Sequence, residues 1–260
     1  MYPVCSKKYQ SGFTLIELIA VITVLAIVAT IGSQLVARAV QSYSDSQERV
    51  KLTQRSRQAV ERMARQIRAA LPYSIRVTNG GACLQFLPVA GGGNYLDPVP
   101  DVANGATATA TIDTAPYNVD FGSAEYMTIG ALATGEVYGA NPVSRATVSA
   151  TGAGTVTLTA AKQWQRNSVN QRFFLVDDPQ AFCLSGGELR FYEDQDITAA
   201  SVDLGDDFDL MSQGAVANGV LFALSAATAD RNAKVLINIG FGFGNDQINF
   251  SQDVGVRNVP

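Results

Sequence analysis

The apolar positions of the chain follow two different rhythms. From Phe13 to Ile31 they are almost continuous, reading FTLIELIAVITVLAIVATI, with Glu17 as the single charge. A helix that crosses a bilayer needs about 20 apolar residues, so this run is just long enough. From Gln34 to Leu71 no proline or glycine interrupts the chain, and Val60, Met63, Ala64, Ile67 and Leu71 recur at the spacing of one helical face. Arg57, Glu61, Arg65 and Arg68 lie toward the other side, with Glu61 and Arg65 at i, i+4. Pro72 predicts the stop. Ile31-Gly32-Ser33-Gln34 contains no proline, so Gly32 predicts local softening without a strong kink. The pattern therefore predicts one continuous helix, about 90 Å long at 1.5 Å per residue.

Beyond Pro72 the period drops from 3.6 to 2. Residues 74–78 and 83–87 read as strands around an Asn79-Gly80-Gly81 turn. The Gly-, Pro- and Asn-rich stretch from Gly91 to Gly105 predicts a surface loop. Ala106 to Asp113 alternates Ala and Thr with strand propensity, and further strands are expected at 126–129, 145–149 and 155–159. Residues 173–176 and 181–184 are short apolar runs. A Ser185-Gly186-Gly187-Glu188 turn leads into a strand at 189–192. Strands are also expected at 220–224 and 234–243, with the chain alternating back from Ile248. Val235, Ile237, Ile239, Phe241 and Phe243 share one face of the second, and the glycines opposite invite close approach by a helix or another chain. The fold class is α+β: one long N-terminal helix packed on an antiparallel sheet domain.

The start of the apolar run carries the most specific signal. Gly12-Phe13-Thr14-Leu15-Ile16-Glu17 stands between a short cationic leader, with Lys7 and Lys8, and the apolar helix. In a secretory signal peptide the small residues of the cleavage site follow the apolar core. Here the small residue precedes it, so a cut would leave the helix on the mature chain. A carboxylate inside such a run costs roughly 2.5–3.5 kcal/mol on insertion scales, so Glu17 calls for a partner.

This motif resembles that of type IV pilins and pseudopilins. The resemblance implies cleavage between Gly12 and Phe13 by a prepilin peptidase and N-methylation of Phe13. It also implies that Glu17 sets the register of subunits. A carboxylate stranded in lipid gains most by meeting the ammonium group of a neighbour's Phe13. Ala70 to Val77, Cys83 to Pro88, Phe182-Cys183-Leu184 and the closing Val256-Arg257-Asn258-Val259-Pro260 resemble the minor pilins of MSHA-type (mannose-sensitive haemagglutinin) pili. The size and layout more distantly resemble J-type pseudopilins of type II secretion. The implied organisation is a cleaved leader at 1–12, a membrane span at 13–32, a periplasmic stretch of helix at 33–72 and a periplasmic head at 73–260. The N-terminus is expected on the cytoplasmic side of the inner membrane, with the protein later in a pilus at the cell surface. The implied partners are other pilin subunits, the prepilin peptidase, the inner-membrane assembly machinery and membrane lipid.

Composition narrows the picture. Of 260 residues, 19 are basic and 23 acidic. Residues 13–72 hold 8 basic and 4 acidic side chains, while residues 73–260 hold 9 basic and 19 acidic ones. An anionic outer domain is poorly suited to nucleic acid, which demands clustered Lys and Arg. There is no histidine, which removes the commonest general base and zinc ligand. No catalytic residue, metal site or cofactor is expected. Cys5 leaves with the leader. Cys83 and Cys183 remain in a domain that the resemblance places in the oxidising periplasm, where a disulfide is the default and two buried free thiols the alternative.

Several constellations read as structure. Asp203, Asp206, Asp207 and Asp209, with Glu193, Asp194 and Asp196 upstream, lack the spacing of an EF-hand and read as a solvated acidic loop. The glycine runs lack the lysine and helix of a phosphate loop. Trp164 reads as a core or interface side chain. The expected function is associative: a minor pilin acting in filament assembly, with a secretion pseudopilin or a tip adhesin as alternatives, and not an enzyme.

Overall fold

The computed structural model describes residues 14–119, 124–225, 232–243 and 246–256. Its first element, α1 (Leu15–Arg68), runs for 54 residues without interruption. Gly32 lies inside it with open space where a Cβ would stand. The chain forms two compact units, Met1–Lys51 and Leu52–Pro260, and the boundary between them falls within α1.

No described residue of the first unit is buried. In the second unit α1 buries Ser56, Ala59, Val60, Met63, Ala64 and Ile67, which is the face that the spacing predicts. Leu71 departs from it. The helix ends at Arg68, because a residue before proline is pushed out of the helical region. The Leu71 N–H instead donates to the Leu87 carbonyl at 2.8 Å. Leu71 is buried with Leu87, Val137, Tyr138, Val176 and Ile197 rather than with the helix face. The Ser74 hydroxyl locks this exit, donating to the Leu71 carbonyl at 2.7 Å and accepting from the Leu87 N–H at 3.0 Å.

The rest is antiparallel sheet, in line with the α+β expectation. β1 (Arg76–Thr78), β2 (Cys83–Phe86), β10 (Gln180–Ser185), β11 (Glu188–Tyr192) and β12 (Asp209–Gln213) form one sheet in that order. β13 (Ala215–Ser225), β14 (Ala233–Phe243) and β15 (Asp246–Val256) form a second. The third runs β4-β8-β7-β6-β9-β3-β5. Its strands are β3 (Val89–Asn94), β4 (Thr109–Asp113), β5 (Asn118–Val119), β6 (Tyr126–Ile129), β7 (Arg145–Gly152), β8 (Thr155–Lys162) and β9 (Arg172–Val176). One apolar core joins Val60, Met63 and Ile67 of α1 to Phe86, Phe182 and Phe191 of the first sheet and to Val235, Ile237, Ile239 and Phe241 of the second. A separate core under the third sheet holds Tyr95, Met127, Trp164, Phe173 and Leu175. The helix-on-sheet arrangement is consistent with a pilin-like fold.

Three local expectations are corrected, and a fourth place is crowded from within. Gly91 to Asn94 is not loop but part of β3, paired with both β9 and β5. The glycines fit because the strands crowd there: a Cβ on Gly92 would stand 3.0 Å from the Phe173 carbonyl oxygen, and one on Gly93 3.1 Å from Tyr117 Cβ. The acidic stretch ends in a strand, since Asp209 opens β12. β13 begins at Ala215 rather than Val220, with a register shift between Ala217 and Phe222. The glycine face of β14 is crowded by its own sheet. A Cβ on Gly240 would meet Gln247, Asn249 and Val216, from β15 and β13.

Candidate functional site

The segment from Thr14 to Ile31 is the candidate site. Gly12, Phe13, Cys5 and the rest of the leader lie outside the described residues, as does Arg257 to Pro260. From Leu15 onward the apolar side chains point in every direction and stay exposed. Leu15 is 77% exposed, and Ile16, Leu18, Ile19, Val21, Ile22, Val24, Leu25, Ile27, Val28 and Ile31 are likewise exposed. A helix that is apolar all round is matched to lipid or to the interior of a bundle, not to water. It contains an 18-residue window apolar enough to cross a membrane, with none of that window buried.

Its few polar groups are largely hidden by the helix itself. Thr23 Oγ1 donates to the carbonyls of Ile19 and Ala20, Thr30 Oγ1 to Ile27 and Ser33 Oγ to Thr30. These hydroxyls return to backbone acceptors, so they bring little polarity to the surface. The only signal of this in the sequence is that the uncharged polar side chains of the run are Thr and Ser, whose hydroxyls can return to the preceding turn. Glu17 remains. It sits in the first turn of α1, where its N–H donates to the Thr14 carbonyl at 3.1 Å and the positive end of the helix dipole favours a carboxylate.

In the second unit Cys83 and Cys183 face one another across the β2–β10 pair and are joined by a disulfide, with Tyr192, Ala181 and Val202 closing over it. The acidic residues are only partly gathered. Glu193, Asp194, Asp206, Asp207 and Asp209 line one open recess of about 400 Å³ together with Phe191 and Phe208. Asp196 and Asp203 turn to local partners instead, accepting from Thr198 and from the Gly205 N–H. Among the described residues no three carboxylates or thiols are grouped so as to hold a metal ion. Trp164 is fully buried in the core of the third sheet.

A buried polar network escaped the sequence reading. Arg145 stacks on Tyr126 at 4.7 Å, Tyr126 donates to Asp178 at 2.9 Å, and Arg76 lies 3.7 Å over the Tyr138 ring. Burial, reinforced by the hydrogen bond to Asp178, pushes the Tyr126 hydroxyl up to about 12. Its members are spread from residue 76 to 178, so no local pattern announces them. It braces the third sheet, although the Tyr138 hydroxyl and Arg145 Nη1 are buried without a hydrogen-bond partner.

The helix, its apolar surface and the antiparallel sheets define a chain with a membrane-anchoring helix and a pilin-like fold. Residues 7–33 match the family model described as the prokaryotic N-terminal methylation motif. No curated protein and no solved structure is significantly similar to the chain. The motif supports a type IV pilin-like or pseudopilin protein, a structural rather than enzymatic family. It implies processing by a prepilin peptidase and assembly with other pilins.

Proposed function

We propose that the protein is a minor pilin of an MSHA-like type IV pilus, most like MshO, acting in pilus assembly or initiation. The observation that carries this is the methylation motif at residues 7–33, which runs into a helix whose apolar residues from Leu15 to Ile31 are exposed. In this reading Gly12–Phe13 is the cleavage site, and Phe13 carries the N-methyl group. The N-terminus is cytoplasmic and the sheet domain periplasmic, and the subunit later moves into the filament. Leaving lipid for a bundle of sister helices exchanges one apolar surrounding for another, so association rests on packing and on polar pairing. Glu17 supplies the pairing, and its ion pair with a neighbouring Phe13 ammonium would fix axial register.

The test is deletion of the gene followed by imaging of filaments, together with mass spectrometry of the protein's N-terminus. Loss of filaments with an N-methylated Phe13 supports the reading. Intact filaments with a lost secreted protein would assign the chain to a type II secretion pseudopilin. Intact filaments with lost attachment would assign it to the tip as an adhesin. A mature chain starting elsewhere would overturn the processing scheme altogether.

A further inference from the structure

The segment that leaves α1 forms one wall of a recess in the second unit. Leu71, Pro72, Leu132 and Phe174 supply most of its apolar lining, and its internal volume is about 100 Å³. Three observations mark it as more than a packing defect. Thr128 lines it, is only 1% exposed, and its hydroxyl has no hydrogen-bond partner. Ser168 also lines it, and its hydroxyl is likewise buried and unpartnered. Buried hydroxyls are nearly always paired, so two orphans among the residues around one recess are an exception, although both oxygens lie behind its surface.

The second observation is charge. Arg166 and Arg172 both line the recess. Arg166 is already paired: Glu136 accepts from it at 2.7 and 2.9 Å, and the Gly130 carbonyl at 2.7 Å. The Arg172 guanidinium has no ion pair or side-chain hydrogen bond among the described residues. In a domain with 19 acidic and 9 basic side chains, an unneutralised arginine beside an apolar hollow is out of keeping. The third observation is backbone strain. Tyr73, at the lining, has φ 66°, and Gln171, next to Arg172, has φ 52°. A bulky aromatic residue rarely adopts that region, and such strain gathers where a site is shaped.

We propose that this recess binds a small branched-chain monocarboxylate. An apolar cavity of about 150 Å³ admits the six carbons of benzene, so about 100 Å³ admits roughly four, the size of an isobutyl group. The apolar walls take that group. Arg172 takes the carboxylate. The site lies wholly in the second unit and does not depend on the pilin reading.

The test uses the full chain in zwitterionic lipid nanodiscs, with isovalerate as probe and isovaleramide as its neutral counterpart. Saturation transfer from protein to the probe's methyl protons is titrated, with empty nanodiscs as the blank. Saturable transfer is expected, with isovalerate about tenfold tighter than the amide, as a charge-assisted hydrogen bond provides. Arg172→Gln should erase that preference while leaving amide binding intact, and Ala131→Phe, which fills the recess, should abolish both. Transfer no greater than in empty discs, or a carboxylate preference that survives Arg172→Gln, would overturn the proposal. The Arg172 result stands even if Ala131→Phe fails to fold, because Arg172 is partly exposed and unpaired.

Discussion

Leu25 and Met63 lie on the same helix, in apolar runs of similar helix propensity, yet their surroundings are opposite. Leu25 is 66% exposed and Met63 is 0% exposed. The difference lies in pattern rather than in composition. Around Met63 apolar residues occupy one stripe, with arginines elsewhere, so only one face gains from burial and the domain's own sheets supply it. Around Leu25 apolar residues occupy the whole circumference, and burying one face would leave the others in water. Such a segment is stable only where everything around it is apolar, as in lipid or among its own kind. One helix therefore answers two solvents, and changes in its two halves should be felt in different assays.

The largest effect is expected at the boundary of the first half. Gly12→Ala should block processing completely, seen as an unshortened band on a gel and no N-methylated phenylalanine. Glu17→Val should come next. Cleavage should proceed, because the cut site is unchanged, but incorporation into filaments should fall sharply. Filaments containing this variant at the normal level would refute the register role of Glu17. Neither change should alter unfolding of the second unit, whose buried cores contain no described residue before Leu52.

The second half should show the converse. Replacing both Cys83 and Cys183 by serine opens a loop with a sequence separation of 100. The chain-entropy account puts the loss at about 4.7 kcal/mol, and measured losses of native disulfides run at about 2–5 kcal/mol. Met63→Ala should destabilise the same unit by about 2–5 kcal/mol through lost burial and a residual cavity. Leu25→Ala should leave it within about 0.5 kcal/mol of the parent, as expected for a side chain outside that core. Trp164 is the chain's only tryptophan and is buried in the core of the third sheet, so its fluorescence follows unfolding there directly. A Leu25→Ala shift as large as that of Met63→Ala would break the distinction between the halves.

How far each feature could be read depended on how local its cause is. The helix, the 126–129 strand and the Ser185–Glu188 turn into β11 are set by neighbours within a few positions, and the structure places them as the pattern predicts. The Gly-Phe-Thr-Leu-Ile-Glu motif is equally local. β3 was misread because its glycines look like a loop until Phe174, some eighty residues away, is known to pair with Gly92. β12 was missed because acidic residues rarely open a strand, and Asp209 does so opposite Phe191 of β11. The recess beside Tyr73 was invisible for the same reason: its walls come from four separate stretches of chain that only tertiary pairing brings together.

The smallest expected effect lies at Arg62, where the helix meets the acidic stretch. Arg62 Nη2 contacts Asp209 Oδ2 at 3.2 Å, and the guanidinium stacks 4.7 Å over Phe191. The two side chains are 35% and 65% exposed, so water screens most of the ion pair, and pairs of this kind are worth at most about 1 kcal/mol. The cation–π contact adds roughly 0.5–1 kcal/mol at an exposed site. Arg62→Ala should therefore cost little more than about 1 kcal/mol in Trp164-monitored unfolding, well below Met63→Ala one residue along the helix. Asp209→Asn should cost less still, because it keeps the stacking and removes only the screened charge, and added salt should narrow the gap between it and the parent. If Asp209→Asn instead matched Met63→Ala, the acidic stretch would be holding the helix as firmly as the core does. The contrast between buried stripe and solvated face would then fail within the second unit itself.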